Sequence, residues 1–174
     1  EKPFNADRLL LVVGRALETS RLKRENESLK GRAGADSELH GSSVAMRQLR
    51  QLLKKIAPAN SRVLISGDMG TGKELTARML HALSTRAEGP FVTLSAATMA
   101  PERMEEELFG IEAAPGIEQR VGALEEDHGG TLFIDEVADM PLVTQGKVLR
   151  VLLDQTFQRV GGAKKVRVDV RIVS

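Results

Sequence analysis

The sequence predicts an α/β protein: a parallel sheet flanked by helices, organised around a glycine-rich loop and preceded by a long linker helix. Three observations carry that expectation. In Arg62 to Glu74, RVLISGDMGTGKE, a β-branched apolar run enters a glycine-rich turn that ends in lysine. In Gly129 to Glu136, GGTLFIDE, an apolar run delivers two adjacent carboxylates. From Leu39 onward helical and extended patterns alternate, as they do where helices connect parallel strands.

Taken in order, Asp7 to Lys30 contains no proline and only Gly14, and Leu10, Val13 and Leu17 fall at helical spacing, which predicts a long helix. Leu22 and Leu29 lie a heptad apart around Asn26, a pattern that suits a register-fixed dimer and equally a monomeric amphipathic linker. The basic residues Arg21, Lys23 and Arg24 read as its solvated face. GRAGADS, Gly31 to Ser37, predicts a flexible joint. Ser42 or Ser43 can cap a helix reaching about Ile56. Val63 to Ser66 reads as a strand, Lys73 to Ser84 as a helix and Phe91 to Ser95 as a strand. Pro101 to Phe109 should be helical, because proline is tolerated early in a helix and Glu102, Glu105 and Glu106 suit its N-terminal half. Thr131 to Asp135 is the acidic strand, Thr144 to Asp154 a helix, and Val168 to Val173 a further strand.

Composition narrows the function classes. Apolar residues make up 41% of the 174, enough for a core, but aromatics only 3%, so aliphatic side chains must fill it. The absence of cysteine excludes disulfides and cysteine-ligated metal. A net charge of +1 gives no global field for nucleic acid. The apolar run Leu9 to Val13 is far too short to span a membrane, and a cytoplasmic location is expected. The chain begins at Glu1 without methionine and ends in the strand-like VDVRIVS, which reads as a segment of something longer.

The chemistry resides in the two motifs. Gly67, Gly70 and Gly72 let the backbone bend tightly and turn successive N–H groups inward. Asp68, Met69 and Thr71 complete that loop, Lys73 adds a cation, and the helix that follows adds its positive end. The pattern GxxxxGK is met, but Glu74 stands where a Ser or Thr commonly reaches magnesium. That leaves Asp135 and the acidic Glu74 as candidate magnesium ligands, with Glu136 placed to orient the attacking water. The plainer readings are an ordinary strand-to-helix turn and a solvated acidic turn. Together the motifs favour ATP with Mg2+ as cofactors. His81 and His128 have no partner at metal-ligand spacing and read as structural. Met46, Met69, Met79 and Met104 read as core filler or loop packing.

Several stretches, in order, resemble the central ATPase domain of the sigma-54-dependent transcription activators, a branch of the AAA+ family: HGSSVAMRQL at 40 to 49, GDMGTGKE at 67 to 74, ELFG at 107 to 110, GGTLFIDEVADMP at 129 to 141, KVLRVL at 147 to 152, and FQRVGG followed by DVRIVS. The resemblance implies three parts: the end of a receiver domain over 1–19, a linker helix and joint over 20–38, and the N-terminal part of the ATPase domain over 39–174. Lys2, Pro3 and Phe4 resemble the last strand-to-helix turn of a phosphoacceptor receiver, which makes Lys2 the phosphoryl-sensing lysine. Lys2–Pro3 is a candidate cis bond. The branch usually carries an acidic residue after the loop lysine, as Glu74 is here.

Two departures qualify the resemblance. Family members usually carry GAFTGA after ELFG, whereas IEAAPGIEQRVGALEE follows here, so contact with sigma-54 polymerase is not expected. In that respect the chain is similar to the nitrogen-related NtrX type of two-component response regulator. Position 95, often an Asn that restrains the acidic-strand glutamate, is Ser95, a shorter candidate switch. Arg159 in QRVGG matches a subunit-interface position, with a surface arginine at a turn as the plainer reading. The implied partners are a sensor histidine kinase, further copies of the chain as a dimer or hexamer, and DNA through a C-terminal domain not contained here. Hydrolysis of ATP is expected in the complete oligomer. The alternative is a phosphorylation-controlled DNA-binding dimer that uses ATP as a structural ligand. A small-molecule kinase lacks any substrate-lid signature.

Overall fold

Ser43 opens the first helix, α1 (Val44–Ile56), its hydroxyl accepting the Met46 N–H at 3.3 Å. The computed structural model describes residues 39–174. The expectations placed on residues 1–38, namely the long helix, the heptad pair, the joint and the Lys2–Pro3–Phe4 turn, lie outside the described residues.

Among the described residues four further α-helices follow: α2 (Lys73–Ala82), α3 (Pro101–Phe109), α4 (Ala123–Glu126) and α5 (Leu142–Asp154). The strands are β1 (Phe91–Ser95), β2 (Thr131–Asp135), β3 (Thr156–Gln158), β4 (Lys165–Arg167) and β5 (Arg171–Val173). β1, β2 and β5 form a parallel sheet with β2 in the centre, in which Phe91 faces Thr131, Ser95 faces Asp135, and Thr131 faces Arg171. Thr131 to Ile134 are all buried because helices cover both faces of the sheet. Alternation along β2 splits the core: Leu132 and Ile134 pack with Leu94, Leu108, Leu124 and Val151, while Phe133 packs with Leu53, Ala77, Leu80 and Val173.

The expected strand Val63 to Ser66 is corrected. Only Val63 forms a bridge, to Val173, and the segment runs beside the sheet through Ser174 N–H to Val63 O at 3.1 Å and Ile65 N–H to Ser174 O at 2.5 Å. β5 is three residues long, so it offers room for little more. The expected strand Val168 to Val173 is shortened for a related reason: Val168 N–H turns to Gln155 O, and Asp169 O accepts from Gly129 N–H, so these groups are spent outside the ladder. The helix expected to reach Ser84 ends at Ala82, where Ser84 closes the last turn onto His81 O. β3 and β4 form an antiparallel hairpin that was not expected, with Phe157 opposite Val166.

Arg171 is 3% exposed and closes the far end of α1: its guanidinium donates to Ala57 O at 2.9 Å and Ser61 O at 3.1 Å. Ala57, the C-cap, is among the carbonyls a helix leaves without partners at its C-terminus, where a cation also suits the dipole; Ser61 lies in the loop beyond.

The segment after α3 folds into a small hairpin. Ile111 and Arg120 exchange backbone hydrogen bonds at 2.8 and 3.0 Å, and Ala114 bridges Ile117. Gly110 makes this possible, since its φ is 72° and a Cβ there would stand 2.3 Å from Arg120 O. The hairpin is stitched to the chain after β3 through Glu112 N–H to Val160 O at 3.0 Å and Val160 N–H to Gly110 O at 2.9 Å.

Candidate functional site

The loop Gly67 to Gly72 turns between the edge of the sheet and α2. Gly70 and Gly72 have φ of 78° and 90°, the left-handed region in which side chains are strained, and this lets the chain reverse directly into the helix. Thr71 fixes the turn by donating its hydroxyl to Asp68 O at 2.7 Å. No side chain caps α2 at Gly72, so the first-turn N–H groups and the positive end of the helix are left for an anion.

The acidic strand ends beside that loop. Asp135 closes β2, and the backbone then turns through Glu136 at φ 51° and ψ 50°, an unusual conformation for a residue other than glycine. The turn aims the Glu136 carboxylate at Lys73, whose Nζ lies 2.9 Å from Glu136 Oε1. Lys73 also donates to Gly67 O at 3.3 Å and Asp68 O at 3.4 Å. The hydrogen bond with Glu136 raises the Lys73 ammonium above the ordinary lysine value; desolvation opposes it, and the charges of Glu136, Asp135 and Asp68 add to it. A cleft of about 200 Å³ is lined by Ser66, Gly67, Lys73, Asp135, Glu136 and Ser174. A cavity of about 460 Å³ between α5 and the β3–β4 turn contains neither motif.

Other sequence candidates divide between this place and elsewhere. Ser95 ends β1 in register with Asp135, one strand away, and among the described residues no hydrogen bond joins its hydroxyl to Glu136. Glu74 sits on the first turn of α2, where Arg78 donates Nε and Nη2 to its Oε1 at 3.0 and 2.7 Å. Met69 corrects the expectation of packing: it is 88% exposed at the loop tip, whereas Met104 is buried. Arg159 is engaged within the chain, its Nε and Nη2 to Glu125 at 2.7 and 2.8 Å and its Nη1 to Glu112 at 3.0 Å. His81 bonds Thr131 through Nδ1 at 3.0 Å and tilts against Phe91, and His128 Nδ1 accepts from Asp169 N–H. Lys2 lies outside the described residues. Sequence reasoning missed Ser174 as a cleft residue and Glu112 and Glu125 as partners of Arg159, because these pairings join distant positions with no local motif.

The donor set suits magnesium held jointly with phosphate. Among the described residues no group of three or more acidic or histidine side chains could enclose a metal, and Asp135 spends one oxygen on Glu136 N–H at 3.1 Å. A cation that keeps waters and takes one or two carboxylates plus phosphate oxygens matches such a site. Among the described residues no helix is long and apolar enough to cross a membrane.

The sigma-54 interaction domain family matches residues 39–174. The nitrogen assimilation regulatory protein NtrX of Azorhizobium caulinodans is 59% identical over 174 residues, which are 100% of this chain and 38% of that protein. The crystal structure of NtrX from Brucella abortus matches with a TM-score of 0.81 at 61% identity, covering 100% of this chain and 38% of that one. The crystal structure of the same protein in complex with ATP matches with a TM-score of 0.77 at 61% identity, covering 100% and 37%. The chain thus spans less than half the length of these relatives.

Proposed function

The chain belongs to the sigma-54 interaction domain family, and from that membership we propose that it is the ATP-binding module of an NtrX-like two-component regulator of transcription, related to nitrogen assimilation. The observation that carries the nucleotide reading is the 2.9 Å contact between Lys73 and Glu136, which unites the glycine loop and the acidic strand in one cleft. The relative solved with ATP supports the same choice of ligand.

In this reading the N–H groups of Gly70 to Lys73 and the N-terminus of α2 hold phosphate oxygens, and Lys73 donates to the β- and γ-phosphates. Asp135 would hold magnesium, and Glu74, whose Oε1 takes both Arg78 donors, would join it through its other carboxylate oxygen. Magnesium, when bound, neutralises charge on the phosphate oxygens. Glu136 is the group placed to accept a proton from water, and Ser95 adjusts its setting from the neighbouring strand. In the complete protein we assign the partners to a sensor histidine kinase, further copies of the chain as dimer or hexamer, and DNA through a further domain, with the stretch that Arg159 fastens to Glu125 and Glu112 lying toward the neighbouring copy and Lys2 sensing the phosphorylated receiver. The domain limits 1–19, 20–38 and 39–174 belong to the same proposal.

A second reading, ATP as a structural ligand without turnover, is favoured by the segment after α3, which is short and stitched down to Val160. Titrating the intact protein with ATP and magnesium separates the two. Turnover that rises cooperatively with protein concentration supports hydrolysis in an oligomer; ATP-dependent thermal stabilisation without turnover supports the structural ligand. Absence of any ATP binding sinks both.

A further inference from the structure

The cavity of about 460 Å³ between α5 and the β3–β4 turn has the size of a small-molecule site and shares no lining residue with the cleft at Lys73. Its floor is apolar. Phe109, Val151 and Phe157 line it and are 2%, 1% and 7% exposed, with the two rings tilted against each other at 5.7 Å between centroids. Its walls are braced by charges already spent within the fold: Lys147 on Glu105 at 2.7 Å, and the Arg159 fork on Glu125 at 2.7 and 2.8 Å. A pocket braced in this way is formed before a ligand enters, which lowers the cost of binding.

Three lining charges are left over: Arg150 and Asp154 on α5, and Lys165 at the start of β4. Among the described residues none of these three side chains makes a hydrogen bond or an ion pair, and all three are exposed. Engaging a ligand would therefore break no contact of the fold. Arg150 and Asp154 are four residues apart on one helix, which puts their Cβ atoms on the same face at about 5–6 Å. A simple anion at Arg150 would be repelled by Asp154, and a simple cation at Asp154 would be repelled by Arg150 and Lys165. A molecule that carries both charges close together answers both. The planar Arg150 fork matches a carboxylate, and an ammonium has three N–H groups to offer Asp154. The buried floor then calls for an apolar side chain.

We propose that this cavity is a binding site for an α-amino acid with an apolar side chain: carboxylate on Arg150 and Lys165, ammonium on Asp154, side chain against Phe109, Val151 and Phe157. The site is separate from the nucleotide cleft, and the two readings stand or fall independently. Its charges work at the rim in contact with water, where ion pairs contribute modestly, so the expected dissociation constant is about 1 mM. Both charges of the ligand are needed, because either one alone meets a like charge in the pocket.

Saturation-transfer NMR of L-leucine and L-phenylalanine with the intact protein, saturated with ADP, tests the site. Both amino acids should bind. Isocaproate, which is leucine without its ammonium, and isopentylamine, which is leucine without its carboxylate, should each bind at least about tenfold more weakly. Arg150→Gln and Asp154→Asn should each weaken L-leucine by about tenfold while leaving ADP affinity and the melting temperature of the ligand-free protein unchanged. The analogue series uses the unaltered protein and decides even where a variant fails to fold. Absence of binding of both amino acids at about tenfold the expected constant overturns the proposal. So does isocaproate or isopentylamine binding as tightly as L-leucine, or L-leucine binding unchanged in either variant. An L-leucine signal that ADP abolishes would place the amino acid in the nucleotide cleft and overturn it as well. Failure of ADP itself to bind counts against the nucleotide reading alone.

Discussion

Arg159 gives Nε and Nη2 to the two oxygens of Glu125 and Nη1 to Glu112, all within 3.0 Å, whereas Lys73 meets one carboxylate oxygen and two distant carbonyls. Both are cations facing carboxylates, and their wiring differs. The Arg159 fork is planar and its contacts fix direction as well as distance, which suits a permanent fastening of α4, the hairpin after α3 and the chain after β3. Glu125 foremost, and Glu112 with it, push the guanidinium further up from its already high value. Lys73 is a point charge on a flexible stem, and its partners can be exchanged without strain. The comparison teaches that a cation saturated by its own chain holds a fold together, while one held by a single carboxylate at a cleft is ready for a ligand.

The sharpest way to break the comparison is Lys73→Ala. In the intact protein it should weaken ATP by roughly 100-fold while leaving the melting temperature of the ligand-free protein nearly unchanged, because a charge-assisted contact to phosphate is lost and no core is disturbed. Calorimetry and thermal denaturation read the two halves. Arg159→Ala should do the opposite: it strands two partly buried carboxylates and should cost about 2 kcal/mol of stability in urea denaturation, with ATP affinity per folded molecule unchanged. If Arg159→Ala weakened ATP as much as Lys73→Ala, the distinction would fail.

A third, smaller effect concerns Asp127, a carboxyl with no exposed surface at the end of α4. Burial pushes its pKa from the usual 3.8 up to about 8, and the backbone N–H groups of Thr131 and Val92 and the charge of Arg86 only partly offset it. A raised pKa means the folded state prefers the protonated acid, so its contribution to stability is complete below about pH 4 and is lost as pH rises through about 8. Asp127→Asn should therefore match the parent near pH 4 and exceed it increasingly toward pH 9, read as the urea midpoint against pH. A gap that narrows with rising pH would contradict the assignment. The smallest effect is expected at Ser95: Ser95→Asn should change the rate of ATP turnover in the intact protein more than ATP affinity, and equal changes in both would remove its role as a switch.

The site was legible in the sequence where local backbone chemistry dictates it. Glycines at 70 and 72 were needed for the turn into α2, and the apolar run before Asp135 could only be a buried strand. Elements failed where neighbours decide. Val63 to Ser66 has the composition of a strand, yet its ladder is limited by the short β5, and Leu64 is left 72% exposed. The β3–β4 hairpin had a readable signal in Phe157 and Val166, each flanked by polar residues on both sides of the Gly161–Gly162 turn. The contact that carries the functional reading, Lys73 with Glu136, depends on where the sheet delivers each chain end, which no local pattern encodes.

A crystal structure of the intact protein with a non-hydrolysable ATP analogue and magnesium tests the central claim most directly. The account predicts terminal phosphates on the N–H groups of Gly70 to Lys73, Lys73 Nζ bonded to a phosphate oxygen, and the metal on Asp135. Phosphates seated away from that loop, with Lys73 and Glu136 still paired, would contradict it.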